Sequence, residues 1–140
     1  MDKTNVKVEF CIFGDEFDPS NITQNLNIEP NQTHIKAEPI PHRKNLFWKE
    51  TLWEINTDYE ECYDINHILR KILDKILDKT DILLSIKKMY DVEMKFYIVI
   101  VIENNETPGM GLNQETIEFM GKIGSSIDFD IYINPPLPTL

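Results

Sequence analysis

Residues 65–77 carry apolar side chains at spacings of three and four, and this pattern constrains the fold more than any other feature of the chain. Charged residues fill the intervening positions, as in an amphipathic helix that buries one face. Asp64 directly precedes the pattern and is the predicted N-cap, because its carboxylate can accept a hydrogen bond from a free backbone N–H of the first turn. A second helical segment is predicted over residues 80–90. The apolar positions are Ile65, Ile68, Leu69, Ile72, Leu73, Ile76 and Leu77.

Apolar runs on both sides of this helix predict strands. Residues 6–13 alternate as a half-buried strand does, and residues 92–103 are so apolar that they predict a central strand. Residues 46–55 predict a strand with Phe47, Thr51, Trp53 and Ile55 on one side. Residues 126–133 alternate strictly. We expect Ile127, Phe129, Ile131 and Ile133 to point inward and Asp128, Asp130 and Tyr132 to point outward.

The end of the chain repeats its beginning, since both contain a strand, an acidic turn with a proline, and a helix. Asp18 before Pro19 predicts the start of the first of these helices. Asn113 and Gly124 are the predicted N-cap and C-cap of the second. Residues 31–45 are predicted to be a loop or edge segment, because prolines there forbid a central strand.

These elements predict an α+β fold with one domain over residues 1–134 and a tail over residues 135–140. The nearest named architecture is ferredoxin-like: an antiparallel or mixed sheet of about five strands, with helices on one face and a weak strand-turn-helix repeat.

The net charge of -10, from 14 basic and 24 acidic residues, argues against several classes of partner. Nucleic acids and anionic membranes attract lysine and arginine concentrated on one face, and here many lysines alternate with acids along one helix. A basic protein partner is compatible with the charge. The chain has no run of 18 apolar residues, and residues 1–8 lack the apolar segment of a secretory signal. We therefore predict a cytoplasmic protein without a membrane span, with Cys11 and Cys62 as free thiols.

The patterns that carry catalytic or metal chemistry are missing, so we predict no catalytic residues, no metal and no cofactor. The acidic stretch after the first strand, residues 14–23, lacks the ligand spacing of a calcium loop. The three histidines share no zinc spacing with either cysteine. Residues 108–112, "PGMGL", lack the Gly-x-x-x-x-Gly-Lys order of a phosphate-binding loop.

A binding surface is the leading functional interpretation. If one sheet face is free of helices, it presents carboxylates interleaved with aromatic side chains, which suits a non-enzymatic module for a basic protein, such as an immunity-type inhibitor. The residues expected on this face are Trp48, Glu50, Asp128, Asp130 and Tyr132.

Two alternatives stay open. A small enzyme or ligand-binding domain would use a carboxylate site where the two repeated turns meet, formed by Asp15, Asp18 and Glu106, if a pseudo-two-fold axis relates the halves. A homodimer without further chemistry would instead bury Trp48 symmetrically.

The chain also resembles a known family. The features that carry the resemblance are the Phe17-Asp18-Pro19 turn, Pro30, Pro108-Gly109 and the final pattern of residues 128–132. Over residues 6–133 they are similar to the bacterial domain-of-unknown-function family numbered four-two-seven-nine. Members look like small stand-alone cytoplasmic proteins, and the family has no assigned reaction, so the resemblance implies no catalytic residues.

Overall fold

In a computed structural model that describes residues 3–136, the strands assemble into one mixed sheet of six strands. The strands are β1 (Asn5–Gly14), β2 (Gln32–His34), β3 (Thr51–Asn56), β4 (Glu60–Glu61), β5 (Glu93–Ile102) and β6 (Ser126–Ile133). Their order across the sheet is β2-β3-β1-β5-β6, and the short β4 pairs with the beginning of β1. The β5–β6 pair is parallel and the other pairs are antiparallel. Residues 137–140 of the predicted tail lie outside the described residues.

The helices follow the predicted pattern closely. They are α1 (Pro19–Leu26), α2 (Ile65–Ile76), α3 (Thr80–Tyr90) and α4 (Gln114–Lys122), with a 3-10 turn over Leu77–Lys79. The predicted N-caps Asp18, Asp64 and Asn113 are confirmed, since each side chain accepts a hydrogen bond of 2.9–3.0 Å from a backbone N–H in the first turn. Gly124 follows α4 with a φ of 64°, the left-handed conformation that ends many helices. Within residues 3–136, no helix has the length and apolar content needed to cross a bilayer.

The hydrophobic core lies between the helices and one face of the sheet. Because side chains alternate along a strand, the core takes every second residue of the three inner strands. From β1 it takes Val6, Val8, Phe10 and Ile12. The buried apolar side chains of all the α-helices named above belong to the same cluster. Within the part of the chain that the structure describes, the helices therefore cover one face of the sheet and leave the other without a helical layer.

The strand predicted over residues 46–55 is shorter in the structure and begins at Thr51. Trp48 lies in the preceding loop, where its N–H donates to the carbonyl oxygen of Glu38 and its own carbonyl oxygen accepts from the N–H of Ala37. Together with the N–H of Ile40, which donates to the carbonyl oxygen of Leu46, these two hydrogen bonds hold residues 46–48 against the proline-containing segment rather than against β1. Phe47 is accordingly 55% exposed instead of facing the core.

The last strand also differs from expectation. Ile127 is half-buried, but Phe129, Ile131 and Ile133 expose 39%, 46% and 65% of their surface. The reason is the position of β6 at the edge of the sheet, where it has a neighbouring strand, β5, on one side. Strict alternation thus predicted the strand correctly, but it did not predict how deeply its apolar side is buried.

The two strand-turn-helix units enter the sheet differently. β1 and α1 lead on to β3, which pairs antiparallel with β1, whereas β5 and α4 lead on to β6, which pairs parallel with β5. The coarse prediction of an α+β fold with a mixed sheet is confirmed.

Candidate functional site

The face of the sheet without a helical layer, called the open face below, carries most of the polar chemistry of the strands. It is formed by the strand residues that alternate with the core positions. From β1 and β3 these are Lys7, Glu9, Cys11, Leu52 and Glu54, and from β5 and β6 they are Lys95, Tyr97, Val99, Asp128, Asp130 and Tyr132. Acids and aromatic rings are therefore interleaved on this surface.

A compact polar cluster of Glu9, Cys11 and Glu54 lies at the centre of the open face. Cys11 stands directly opposite Glu54 in the β1–β3 pair, and its thiol donates to Glu54 Oε1 at 3.5 Å. Glu54 Oε2 accepts from the Asn56 side-chain amide at 2.6 Å. Cys11 and Glu54 are only 4% and 6% exposed, because the side chains of neighbouring strands surround them. Glu54 is thus a buried acid whose two oxygens are both hydrogen-bonded.

Burial and like charge decide the protonation of this cluster. Burial raises the pKa of Glu9, and the nearby Glu54 carboxylate raises it further, while Lys7, whose Nζ lies 3.7 Å from Glu9 Oε1, opposes the shift. Burial also raises the pKa of the Cys11 thiol strongly, with Glu54 and Glu9 adding to the effect. The thiolate is the reactive form of cysteine, so Cys11 stays protonated at neutral pH and is unsuited to act as a nucleophile.

The same three side chains could hold a metal ion whose binding displaces the Cys11 proton, since the thiolate is the ligand form of cysteine. Glu9, Cys11 and Glu54 each offer one ligand atom, and these atoms lie within 4.8 Å of one another. Sulfur and carboxylate oxygen are both ligands of zinc. The cluster is not among the sites predicted from the sequence, because it depends on the pairing of β1 with β3, which the order of residues does not reveal. The signal available in the sequence was the alternation of Lys7, Glu9 and Cys11 along the polar side of β1.

Replacing Glu9 by glutamine tests the electrostatics of the cluster. Because the folded state raises the pKa of Glu9, the contribution of protonated Glu9 to the free energy of unfolding is complete below its ordinary pKa of 4.5. This contribution is lost as the pH rises through the raised pKa and the side chain becomes charged. At pH 7 we therefore expect Glu9→Gln to increase the free energy of unfolding by roughly 0.2–1 kcal/mol, the size of a cross-strand charge pair. Urea titrations at neutral pH and near pH 4 measure this difference, which should vanish at the lower pH.

Glu93 provides the control for this experiment. It lies on the same side of the sheet, opposite Phe13 in the β1–β5 pair, and is exposed. Glu93→Gln also removes one negative charge, but this charge is exposed, so we expect no measurable change in the free energy of unfolding. If Glu9→Gln destabilises the protein at neutral pH, the attraction of Lys7 for Glu9 outweighs burial and the repulsion from Glu54, which contradicts a raised pKa of Glu9.

Three of the predicted partner-binding residues lie together on β6. Asp128 forms an ion pair with Lys95 at 2.7 Å, and the hydrogen bond raises the pKa of that lysine. The Lys95 ammonium also lies 5.2 Å from the centre of the Tyr97 ring. Asp130 is exposed, and Tyr132 is 58% exposed. Asp128, Asp130 and Tyr132 share the open face because they alternate with the apolar residues of β6.

Trp48 and Glu50 lie at the other edge of the sheet. The Trp48 ring stacks on the His34 ring of β2, with centroids 3.8 Å apart and planes within 1° of parallel. His34 Nδ1 lies 3.0 Å from the carbonyl oxygen of Glu50, and burial lowers the pKa of the histidine. With strands about 4.8 Å apart, the β2 and β6 edges are roughly 19 Å from each other. The five predicted residues therefore form two groups rather than one.

Asp15, Asp18 and Glu106 are not brought together. β1 and β5 run antiparallel, so the turn after β1 and the turn after β5 lie at opposite ends of the sheet, separated by roughly 30 Å of strand. Asp15 pairs with Lys36 at 3.1 Å, and Asp18 caps α1. Glu106 instead hydrogen-bonds to Tyr63 and so raises the pKa of that phenol.

An open groove of about 560 Å³ runs between α1 and the segment around β2. Asp18, Thr23, Glu29, Thr33 and Ile35 are among its lining residues. Asp18 is already engaged there as the cap of α1, and the close carboxylate pair of Glu9 and Glu54 lies on the open face instead. The groove and the acidic cluster are thus separate features.

Comparison with known proteins supports the resemblance noted in the sequence. The family model described as "Domain of unknown function (DUF4279)" matches residues 4–134, which include every strand and helix described above. No curated protein and no solved structure matches the chain.

Proposed function

We propose that this chain, which belongs to the DUF4279 family of domains of unknown function, is a cytoplasmic, non-enzymatic module that binds a basic partner protein through its open face. An immunity-type inhibitor of that partner is the form of this function that we favour. The finer architecture, a ferredoxin-like fold with a strand-turn-helix repeat, belongs to the same proposal and rests on the sequence pattern.

The observation that carries the proposal is the composition of the open face. Asp128, Asp130 and Tyr132 are exposed side by side on β6, next to the half-buried Tyr97 of β5. Tyrosine rings supply contact area at low entropic cost, and carboxylates select a partner with complementary charge. The net charge of -10 adds a long-range attraction that speeds the encounter with a basic protein.

A second candidate function is a small enzyme or ligand-binding domain. The observation that favours it is the buried carboxylate cluster of Glu9 and Glu54, whose mutual repulsion helps to raise the pKa of Glu9. Perturbed carboxylates concentrate at functional sites. In this version the site lies on the open face, in place of the predicted turn site of Asp15, Asp18 and Glu106.

Capture from a bacterial lysate with the purified protein as bait tests the leading proposal. We expect one basic protein to be retained in low salt and lost in high salt, because the attraction between exposed charges is screened. The doubly substituted bait Asp128→Asn/Asp130→Asn should lose this protein. A control bait with Asp78→Asn/Glu118→Gln loses the same number of charges from exposed positions on the helical segments, and it should retain the captured protein.

Two results would contradict the proposal. One is equal loss of the captured protein with both double variants, which would show that only net charge matters. The other is capture that persists in high salt and survives Asp128→Asn/Asp130→Asn, which would place the contact elsewhere. A ligand screen against the Glu9–Glu54 cluster is the next step in that case.

A further inference from the structure

Among the described residues, 3–136, no strand pairs with the outer edge of β6, so this edge can pair with another strand. It contains eight residues, and its paired neighbour in the sheet is β5. The N–H of Asn134 donates to the carbonyl oxygen of Ile102 at 2.9 Å, so the backbone of this position points toward β5. Because backbone groups alternate in direction along a strand, those of Phe129, Ile131 and Ile133 point away from β5, toward the free edge.

The same three residues carry the exposed apolar surface of β6. Phe129, Ile131 and Ile133 are between 39% and 65% exposed, and their side chains lie on the helix-bearing side of the sheet. Proteins usually protect such edges with proline, charged side chains, a bulge or a short strand. β6 contains no proline, it pairs with β5 in unbroken register over all eight residues, and its two charged residues, Asp128 and Asp130, lie on the open face and not on the apolar side. A long apolar edge of this kind is a template for strand addition.

We propose that a second copy of this chain occupies the edge, with β6 pairing antiparallel to β6 around a two-fold axis at Ile131. Antiparallel pairing about this residue lets Phe129 face Ile133 of the second copy, so the apolar side chains meet one another. Ile131 faces its own copy. These are the positions whose N–H and C=O groups point outward, so each pair can exchange two hydrogen bonds.

Charge disfavours the registers with the axis at Asp130 or at Phe129. A two-fold axis at Asp130 would set two carboxylates opposite each other, and an axis at Phe129 would set Asp128 opposite Asp130 of the second copy. Like charges directly opposite destabilise a strand pair. With the axis at Ile131, Asp130 faces Tyr132 and Asp128 faces Asn134, so no two acids are opposite. An axis at Tyr132 or Ile133 also keeps the acids apart, but it sets Phe129 or Ile131 opposite Pro135, which has no N–H to donate. The axis at Ile131 therefore makes the edge most complementary to itself, which is the argument for a second copy rather than an unrelated strand.

The inference rests on the edge geometry alone and not on the proposed function. Pairing of the two edges would join the open faces of both copies into one continuous surface. Each copy carries a net charge of -10, so self-association works against repulsion and should strengthen as salt is added. Binding of a basic partner should weaken under the same change. Because salt should strengthen the dimer and weaken the binding of a basic partner, the dimer and the partner-binding function can be tested separately.

Analytical ultracentrifugation of the full chain over a concentration series tests the dimer. We expect a reversible monomer–dimer equilibrium for the natural sequence. Ile131→Lys places a charge on the axis and should leave only monomer. Met89→Lys is the matched control, since Met89 is 67% exposed on α3, and it should dimerise as the natural sequence does. Circular dichroism establishes that each variant is folded.

Disulfide trapping reads out the register even if a lysine variant fails to fold. A residue on the axis meets its own copy at about 5.5 Å between Cα atoms, within the range of a disulfide bond. Ile131→Cys should therefore form a covalent dimer on mild oxidation. Phe129→Cys should not, because the two copies of this residue lie roughly 13 Å or more apart. The natural thiols, Cys11 and Cys62, are each only 4% exposed and do not compete.

The possible outcomes separate cleanly. Dimerisation that is lost in Ile131→Lys, together with trapping at position 131 and not at 129, supports the proposal. A natural sequence that stays monomeric at every concentration and is not trapped through Ile131→Cys overturns it and leaves the edge to a strand of another protein. Trapping at 129 in preference to 131 overturns the register.

Discussion

Replacing Trp53 by alanine is expected to lower the free energy of unfolding by about 3–5 kcal/mol, the usual cost of deleting a buried aromatic ring. Trp53 is completely buried in β3, and its indole N–H donates to the Thr23 hydroxyl of α1 at 3.0 Å. The substitution therefore removes the ring that packs between strand and helix and also breaks a hydrogen bond that joins them.

Trp48 is the matched control for this experiment. Its ring is half-buried and stacks on His34 in a loop outside β3. We expect Trp48→Ala to cost about 1 kcal/mol, the size of one aromatic pair. Urea denaturation followed by fluorescence measures both variants, since each retains the other tryptophan as a probe. Equal losses for the two would mean that residues 46–50 belong to the core strand after all.

The second large effect is expected at Phe96, in the middle of β5. Phe96 is completely buried, and its ring lies 4.8 Å from that of Phe10 on β1, between centroids. Phe96→Ala leaves a cavity in the core beneath the two central strands, and we expect the free energy of unfolding to fall by about 3–5 kcal/mol. Thermal unfolding followed by circular dichroism gives an independent measure of the same loss.

The adjacent residue tests which face of the sheet is the core. Tyr97 follows Phe96 directly but points to the open face, where it is half-buried beside Lys95. Tyr97→Ala should cost much less than Phe96→Ala, although both remove a six-membered ring from the same strand. If the two variants lose similar stability, the open face is covered by packing that the alternation along β5 does not predict.

Local features of the fold were predictable from the sequence, because they depend on residues close together in the chain. The caps at Asp18, Asp64 and Asn113 are examples, since each carboxylate or amide meets a backbone N–H two or three positions later. The helix over Ile65–Ile76 is another, because its apolar spacing alone specifies one buried side.

Features that depend on strand order were not predictable. The exposure of Ile131 and Ile133 follows from the edge position of β6, and the cluster of Cys11 with Glu54 follows from the β1–β3 pairing. Neither feature can be predicted from a single stretch of residues, because each depends on which strands are neighbours in the sheet. The strand-like composition of its segment predicts a strand through Trp48, but the hydrogen bonds of Trp48 with residues 37 and 38 override that preference.

The central position of β1 means that its pairing is completed late during synthesis. β1 is synthesised before the other strands of the sheet, yet its residues from Asn5 to Phe13 pair with β5, so that Asn5 meets Val101. At ribosomal rates of about 5–20 residues per second, β1 waits roughly 5 to 20 s for that neighbour to emerge. During this interval the apolar side of β1 is available to chaperones and to other nascent chains. Yield in the cell should therefore respond to translation speed and chaperone supply more than the stability of the finished protein suggests.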